Sequence, residues 1–275
     1  MPSLPPHPTP IPDANAVLRA FLKESRAILG DSVVGIYLGG SLATGEFDQS
    51  SDLDALVVTT GPLPPETVSA LSAMHERFSA GAVGWGKWGW ELEVSYVPQD
   101  AVRRYDPAND IHPYIDRGGR LRSEEHGREW DIQRHVIREW GITVEGPPPR
   151  SLIDPVEPND VRRAVLMAIA DWWPQFLLEP AKLHPRGYRS YMVLTGCRML
   201  YTLEFGTVVS KPLAARWAQE TLGPRWATLI AWAVTARHGP YTEELDNLSE
   251  ALDFIRYVIE RGREFSLPAD AAPNG

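Results

Sequence analysis

Past about residue 158 the chain stops offering strands. Apolar residues recur at helical spacing through 159–173, 189–205, 211–222, 226–238 and 243–263, and only the pause "GTVVSKP" separates the second segment from the third. Ahead of that point the texture differs, with short β-rich runs alternating with single helices. A chain that changes period in this way folds as an α+β unit followed by an all-helical one, and at 275 residues it is long enough for both. The stretch "EGPPPRSLIDPVEPND" is too rich in proline to continue either texture and reads as the linker. No internal repeat is evident.

The first half supplies a mixed or antiparallel sheet with helices packed on it. Val17, Leu18, Phe21, Leu22 and Leu29 recur at helical spacing from Ala14 to Gly30, with Asp13 as the expected N-cap. "SVVGIYLGG" and "LDALVVT" read as strands, and "PPETVSALSAMHERFSA" as the helix after them. A third strand is expected in "WELEVSYV", where Trp90, Leu92, Val94 and Tyr96 share one face while Glu91, Glu93 and Ser95 share the other. The opening "MPSLPPHPTPIPD" is a proline-rich arm over 1–13. The expected division is then 14–150 for the sheet unit, 151–266 for the helical unit and 267–275 for a frayed tail.

Composition narrows the function classes. An apolar fraction of 43% and a charged fraction of 23% are those of an ordinary globular protein. With 36 acidic against 27 basic residues, the formal charge of -9 repels a phosphate backbone, so no nucleic acid partner is expected and a small cationic substrate fits better. The single cysteine, Cys197, excludes an internal disulfide and a cysteine-rich zinc site. Leu194, Leu200 and Tyr201 at helical spacing around it make it core filling. No apolar stretch approaches the roughly 20 residues that span a bilayer and no leader pattern opens the chain, which points to a cytoplasmic, membrane-free protein, expected to act as a monomer.

The chemistry concentrates in "LGGSLATGEFDQSSDLDALVV", residues 38–58. Asp52 and Asp54, two apart on a strand, project from one face and can share a hard cation through oxygen ligation. Without a cation such a pair repels itself and raises its own pKa. "GGS" at the end of the preceding strand lets the backbone approach a ligand closely, and the Ser41 hydroxyl adds a donor; together they can hold phosphate oxygens. Glu93 on an adjacent strand supplies a third carboxylate, either a further ligand for divalent metal or a base for an incoming hydroxyl.

These residues carry a resemblance. "GGSLATGEFDQSSDLDALV" is similar to the Gly-Ser, spacer, Asp-x-Asp signature of nucleotidyltransferases related to DNA polymerase β, with "LEV" in the place of their third carboxylate strand. "GPPPRSLIDPV" and "YMVLTGCRMLYTLEFGTVVSKPLAARWA" resemble aminoglycoside adenylyltransferases of the streptomycin and spectinomycin type, so the likeness spans nearly the whole chain. The resemblance implies transfer of AMP from ATP to an acceptor hydroxyl, with release of pyrophosphate, at a cleft between the two domains. It assigns Gly40, Ser41, Ser51 and Lys211 to the nucleotide, with Ser41 and Lys211 on its phosphates. It assigns Asp52 and Asp54, with Glu93 as the possible third ligand, to Mg²⁺. Glu93 is also its base for deprotonating the acceptor, and an aminoglycoside is the expected partner alongside ATP.

The chain also departs from that pattern. Where the family has an acidic loop, this sequence has "FLLEPAKLHPRGYRSYMVLT", longer and basic over 179–190, with Glu179 the nearest acid. Trp172 or Trp173 corresponds to a substrate-contacting tryptophan of the family, while tryptophans at helical spacing more often fill core. In "REWDIQRHVIREW", Trp130, Ile137 and Trp140 lie near one side, and Asp131 and His135 read as a surface pair. His112, His126, His184 and His238 show no zinc spacing and read as structural or solvated. Two rival readings remain at this level, the same chemistry on another small molecule, protein or RNA, and a non-catalytic nucleotide binder, against which the intact Asp52, Asp54 and Glu93 argue.

Overall fold

The computed structural model describes residues 8–81, 86–237 and 245–269. The first seven residues of the expected arm, the tail from 270 onward, and 238–244, with His238 and the expected start of the last helix, lie outside the described residues. The chain divides into two compact units, Met1–Pro155 and Val156–Gly275.

The first unit is built on a six-stranded mixed sheet. Its strands are β1 (Val33–Leu38), β2 (Leu53–Thr59), β3 (Leu92–Pro98), β4 (Ile111–Ile115), β5 (Arg122–Glu125) and β6 (Ile142–Glu145), in the spatial order β5-β4-β3-β2-β1-β6. β2 and β3 run parallel, with Asp54 opposite Glu93; the other neighbours are antiparallel. Side-chain alternation then decides what each face does. Leu53, Ala55 and Val57 of β2, with Leu92, Val94 and Tyr96 of β3, pack into one core with Val17, Leu18 and Phe21 of α1 (Pro12–Leu29). Residues of the opposite parity, Leu56, Val58 and Val97, meet Ala101, Val102 and Ile137 in a second core. That face is covered by α5 (Gln99–Val102), α6 (Asp131–Trp140) and α7 (Pro149–Leu152). Asp54 and Glu93 belong to the second parity, so they open onto the face that α6 covers. The short α2 (Gly40–Ala43) follows β1, α3 (Pro65–Ser79) links the two parallel strands, and α4 (Gly86–Trp90) precedes β3.

Local structure departs from the sequence reading in three places. Ile11, not Asp13, is the N-cap of α1, because Pro12 with its fixed φ takes the first helical turn and Asp13 falls inside it. Asn15 secures the entry instead, donating to the Thr9 carbonyl at 2.8 Å and accepting from the Thr9 amide at 2.9 Å. Trp90 does not join the third strand: a helical turn closed by the Glu91 amide on the Lys87 carbonyl (3.0 Å) holds it at the end of α4, where it is 51% exposed. The sequence reading also contained no β4, β5 or β6, which extend the sheet on both sides.

The second unit is all helical: α8 (Pro158–Asp171), α9 (Pro174–Leu178), α10 (Arg186–Phe205), α11 (Lys211–Thr221), α12 (Pro224–Ala236) and α13 (Leu248–Glu264). α10 is central and packs on α8, α11, α12 and α13. Its burial all round explains why it lacks a one-sided apolar stripe, and Cys197 sits fully buried in it, its thiol pushed up to about 12 by burial. No helix among the described residues is long and apolar enough to cross a membrane.

Candidate active site

The site starts from a backbone requirement. β1 ends at Leu38, the Gly39 amide donates to the Asp54 carbonyl at 3.0 Å, and Gly40 turns the chain into α2 with φ at +52°. A side chain at position 40 would put its Cβ 1.8 Å from Asp54 Oδ2, so glycine is demanded by both the left-handed backbone and the close approach of the carboxylate. The next residue, Ser41, carries a hydroxyl that is buried without a hydrogen-bond partner. A buried hydroxyl left unpaired is costly unless a ligand completes it, and a phosphate oxygen at this turn would do so. Ser51 is also buried, but its hydroxyl is engaged in the loop ahead of β2: it accepts from the Asp48 amide at 3.0 Å and donates to Asp48 Oδ1 at 3.2 Å.

Beside this turn the parallel ladder sets Asp54 next to Glu93. Burial, and then the negative charge of Asp54, push the Glu93 carboxyl up to about 8 against the Tyr114 hydrogen bond, which pulls it down. Tyr114, on β4, donates to Glu93 Oε1 at 2.8 Å. Asp52 lies one step outward, where Arg117 Nη1 is 3.2 Å from its Oδ1 and 3.7 Å from Glu91 Oε2. Glu91 is itself pushed up to about 6, by burial first and then by its hydrogen bond with Asp52. Among the described residues no three His, Cys, Asp or Glu side chains gather into a cation-holding group. Within the expected set of Asp52, Asp54 and Glu93, Asp52 meets the Arg117 guanidinium while Asp54 stands opposite Glu93, and the charges of both aspartates act on Glu93. The donors still suit a hard divalent cation: they are carboxylate oxygens, and the repulsion between Asp54 and Glu93 is the kind that such a cation relieves.

A cavity of about 240 Å³ runs from Gly39, Asp54 and Glu93 to Glu124, Glu125, Trp130 and Gln133. His126 lies on its floor. Its Nδ1 faces the Glu124 carbonyl at 3.2 Å, an acceptor only, so this nitrogen carries the proton and Nε2 accepts from the Ser95 hydroxyl at 3.1 Å. Burial pulls its pKa down to about 4, keeping the ring neutral. Asp131 is not the surface group expected of it: it is buried and paired with Arg134 at 3.1 Å, while His135 packs edge-on against Trp140. His112 is buried against His126, in keeping with a structural role.

In the helical unit Lys211 is the first residue of α11, which the Ser210 hydroxyl caps by accepting from the Leu213 amide at 3.4 Å. Its ammonium lies 4.4 Å above the Tyr191 ring. The basic character of 179–190 is spent within the unit: Lys182 pairs with Glu179 at 3.1 Å, and Arg186 and Arg189 reach Asp246 at 3.2 and 3.0 Å. Trp173 is fully buried core, while Trp172 packs edge-on against Phe176.

Sequence reasoning missed Tyr114 and Arg117 among the groups that touch the carboxylates. Pro113 hid the first by interrupting the strand pattern of β4. Arg117 sits in a Gly-rich turn, "IDRGGR", that carries no spacing signal.

Comparison with known proteins places these features. Residues 18–112 match the nucleotidyltransferase domain family, and residues 151–261 match the family described as aminoglycoside adenylyltransferase, C-terminal domain. A spectinomycin 9-adenylyltransferase of Staphylococcus aureus is 32% identical over 245 residues, covering 86% of this chain and 90% of that protein. An aminoglycoside (3'')(9) adenylyltransferase of Escherichia coli is 26% identical over 243 residues, covering 84% and 88%. A crystal structure of a spectinomycin adenyltransferase from Enterococcus faecialis with ATP and spectinomycin superposes with a TM-score of 0.75, over 91% of this chain and 99% of that one. At 19% identity that likeness speaks for the fold.

Proposed function

The chain belongs to the aminoglycoside adenylyltransferase family, and from that premise we propose that it moves AMP from Mg²⁺-ATP to a hydroxyl of an aminoglycoside-like acceptor such as spectinomycin, releasing pyrophosphate. The observation that carries the reading is the Asp54–Glu93 pair on adjoining parallel strands beside the Gly40–Ser41 turn. The Ser41 hydroxyl and the backbone of Gly40 bind the triphosphate. Ser51 shapes the loop that leads into β2. Asp52 and Asp54 would hold Mg²⁺, which when bound supplies neutralising charge on the phosphates.

Glu93 then acts on the acceptor. Its carboxylate takes the hydroxyl proton as the acceptor oxygen forms a bond to the α-phosphorus; the bond from that phosphorus to the bridging oxygen breaks, and pyrophosphate leaves with the electron pair. A position inside the cavity, with Asp54 alongside, lets Glu93 reach only a hydroxyl that has entered it. A cationic acceptor suits both the net charge of -9 and the carboxylates Glu124 and Glu125 on the cavity wall. The basic loop at 179–190 is no obstacle, since Glu179 and Asp246 already pair with its cations. We place the reaction in the cytoplasm, where ATP is abundant, and assign it to the monomer.

Pyrophosphate release from Mg²⁺-ATP, screened with spectinomycin, streptomycin and other aminoglycosides, tests the reading, with Asp54→Asn as control. Release that needs one of these acceptors and disappears in the control is expected. Silence with the whole panel, while ATP still binds, would rule out an aminoglycoside acceptor.

A further inference from the structure

We propose that Tyr114 is a positioning residue for Glu93: its hydroxyl occupies carboxylate oxygen Oε1 and so presents Oε2 to the acceptor. The inference rests on the assignment of Glu93 as the base. A glutamate has three rotatable side-chain bonds, and one whose two oxygens are equivalent can offer either to an incoming hydroxyl, in several rotamers. Here one oxygen is already committed, by an O–H···O bond of 2.8 Å. The phenol has one hydrogen, and it is spent on this carboxylate oxygen.

The ring that carries this hydroxyl is itself held in place. Tyr114 is opposite Ser95 in the antiparallel β3–β4 ladder, two residues along from Glu93. The His126 ring packs edge-on against it at 6.0 Å, and His126 is fixed in turn by the Ser95 hydroxyl and the Glu124 carbonyl. The Arg122 guanidinium lies 5.6 Å from the ring centre. Glu93, Tyr114 and His126 line one cavity, so a chain of fixed groups runs from its floor to the carboxylate that faces the acceptor.

The test is AMP transfer from Mg²⁺-ATP to spectinomycin by the full chain, comparing wild type, Tyr114→Phe and Glu93→Gln. Losing the donor frees the Glu93 carboxylate to turn, and a small misplacement of a reacting group costs roughly 10- to 100-fold in rate. Tyr114→Phe is therefore expected to lower kcat by that factor while KM for Mg²⁺-ATP stays put. Two further variants place 4-aminophenylalanine or 4-methylphenylalanine at position 114, filling the same space with and without a donor. Only the amino variant is expected to restore the rate, which a purely structural role would not produce, and this comparison decides the matter if Tyr114→Phe folds poorly. Wild-type kcat in Tyr114→Phe, or equal rates in the amino and methyl variants, overturns the role of Tyr114 while an inert Glu93→Gln leaves the base assignment intact. Full turnover in Glu93→Gln overturns the base assignment, and the positioning role with it.

Discussion

Replacing Gly40 with alanine perturbs the site at its tightest point. The added methyl would lie 1.8 Å from Asp54 Oδ2, and real Cβ contacts do not come closer than 3.0 Å, so the turn or the carboxylate must move by about 1.2 Å, the difference between these two distances. The φ of +52° adds a backbone cost of about 1–2 kcal/mol for a residue with a Cβ. Gly45, just past the far end of α2, provides the control: its φ is +75°, but nothing lies within 4 Å of a Cβ added there. Gly45→Ala should thus lose a similar 1–2 kcal/mol of stability, seen in chemical denaturation, and retain its transfer rate. Gly40→Ala should lose at least that much stability, the clash adding to the backbone cost, and in addition about 100-fold in kcat, because a shift of about 1 Å at a group that aligns the reaction costs that much. The assay is pyrophosphate release under saturating Mg²⁺-ATP, with unfolding followed by circular dichroism. If Gly40→Ala turns over as fast as Gly45→Ala, the close approach of Asp54 to the turn has no part in catalysis and the reasoning fails.

Two further predictions concern the scaffold. His75 is buried, 2.7 Å from the Tyr96 hydroxyl, and burial lowers its pKa to about 4. Between pH 6.5 and 4 the unfolded chain takes up a proton that the folded chain refuses, so this contribution to stability is whole above pH 6.5 and shrinks as pH falls, by about 3 kcal/mol at most. Urea titrations of His75→Gln should accordingly show a shallower loss of stability on acidification than wild type, and parallel curves would contradict the assignment. Arg189 is fully buried, donating from Nη1 to the carbonyls of Leu183 and His184 at 2.6 and 2.9 Å and pairing with Asp246. Arg189→Leu should cost about 2–3 kcal/mol, against at most about 1 for the more exposed Arg186→Leu; equal melting temperatures for the two variants would refute this ranking.

Much of this fold was readable because its signals are local. The switch from period 2 to period 3.6 near residue 158 separates the two textures, and "SVVGIYLGG", "LDALVVT" and "LEVSYV" carry enough apolar β-formers to mark β1, β2 and β3. Strand alternation alone put Glu93 on the polar face of its strand, and the parallel register of β2 and β3 is what sets it opposite Asp54. Other features were fixed by partners distant in sequence. β4 and β5 are short and carry Pro113 and a run of charged residues, so nothing local distinguishes them from loop; they form because β3 offers its edge. Trp90 obeys the alternation of the third strand, yet a helical turn overrides it. Asp131 is buried because Arg134, three residues on, folds against Trp130 with its guanidinium on the carbonyls of Ala101 and Val102, partners that no local spacing reveals. The neutralisation of the basic stretch 179–190 is equally non-local, since the pairing of its arginines with Asp246 spans about 60 residues of chain.

The central claim is that Glu93 takes the proton from an acceptor hydroxyl as AMP is transferred. The most direct measurement is mass spectrometry of spectinomycin after incubation with Mg²⁺-ATP and either wild type or Glu93→Gln, alongside calorimetric titration of each protein with ATP. The account predicts adenylylated spectinomycin with wild type, a rate at least about 100-fold lower with the variant, and ATP affinity little changed between them. Adenylylation by Glu93→Gln at the wild-type rate would contradict it.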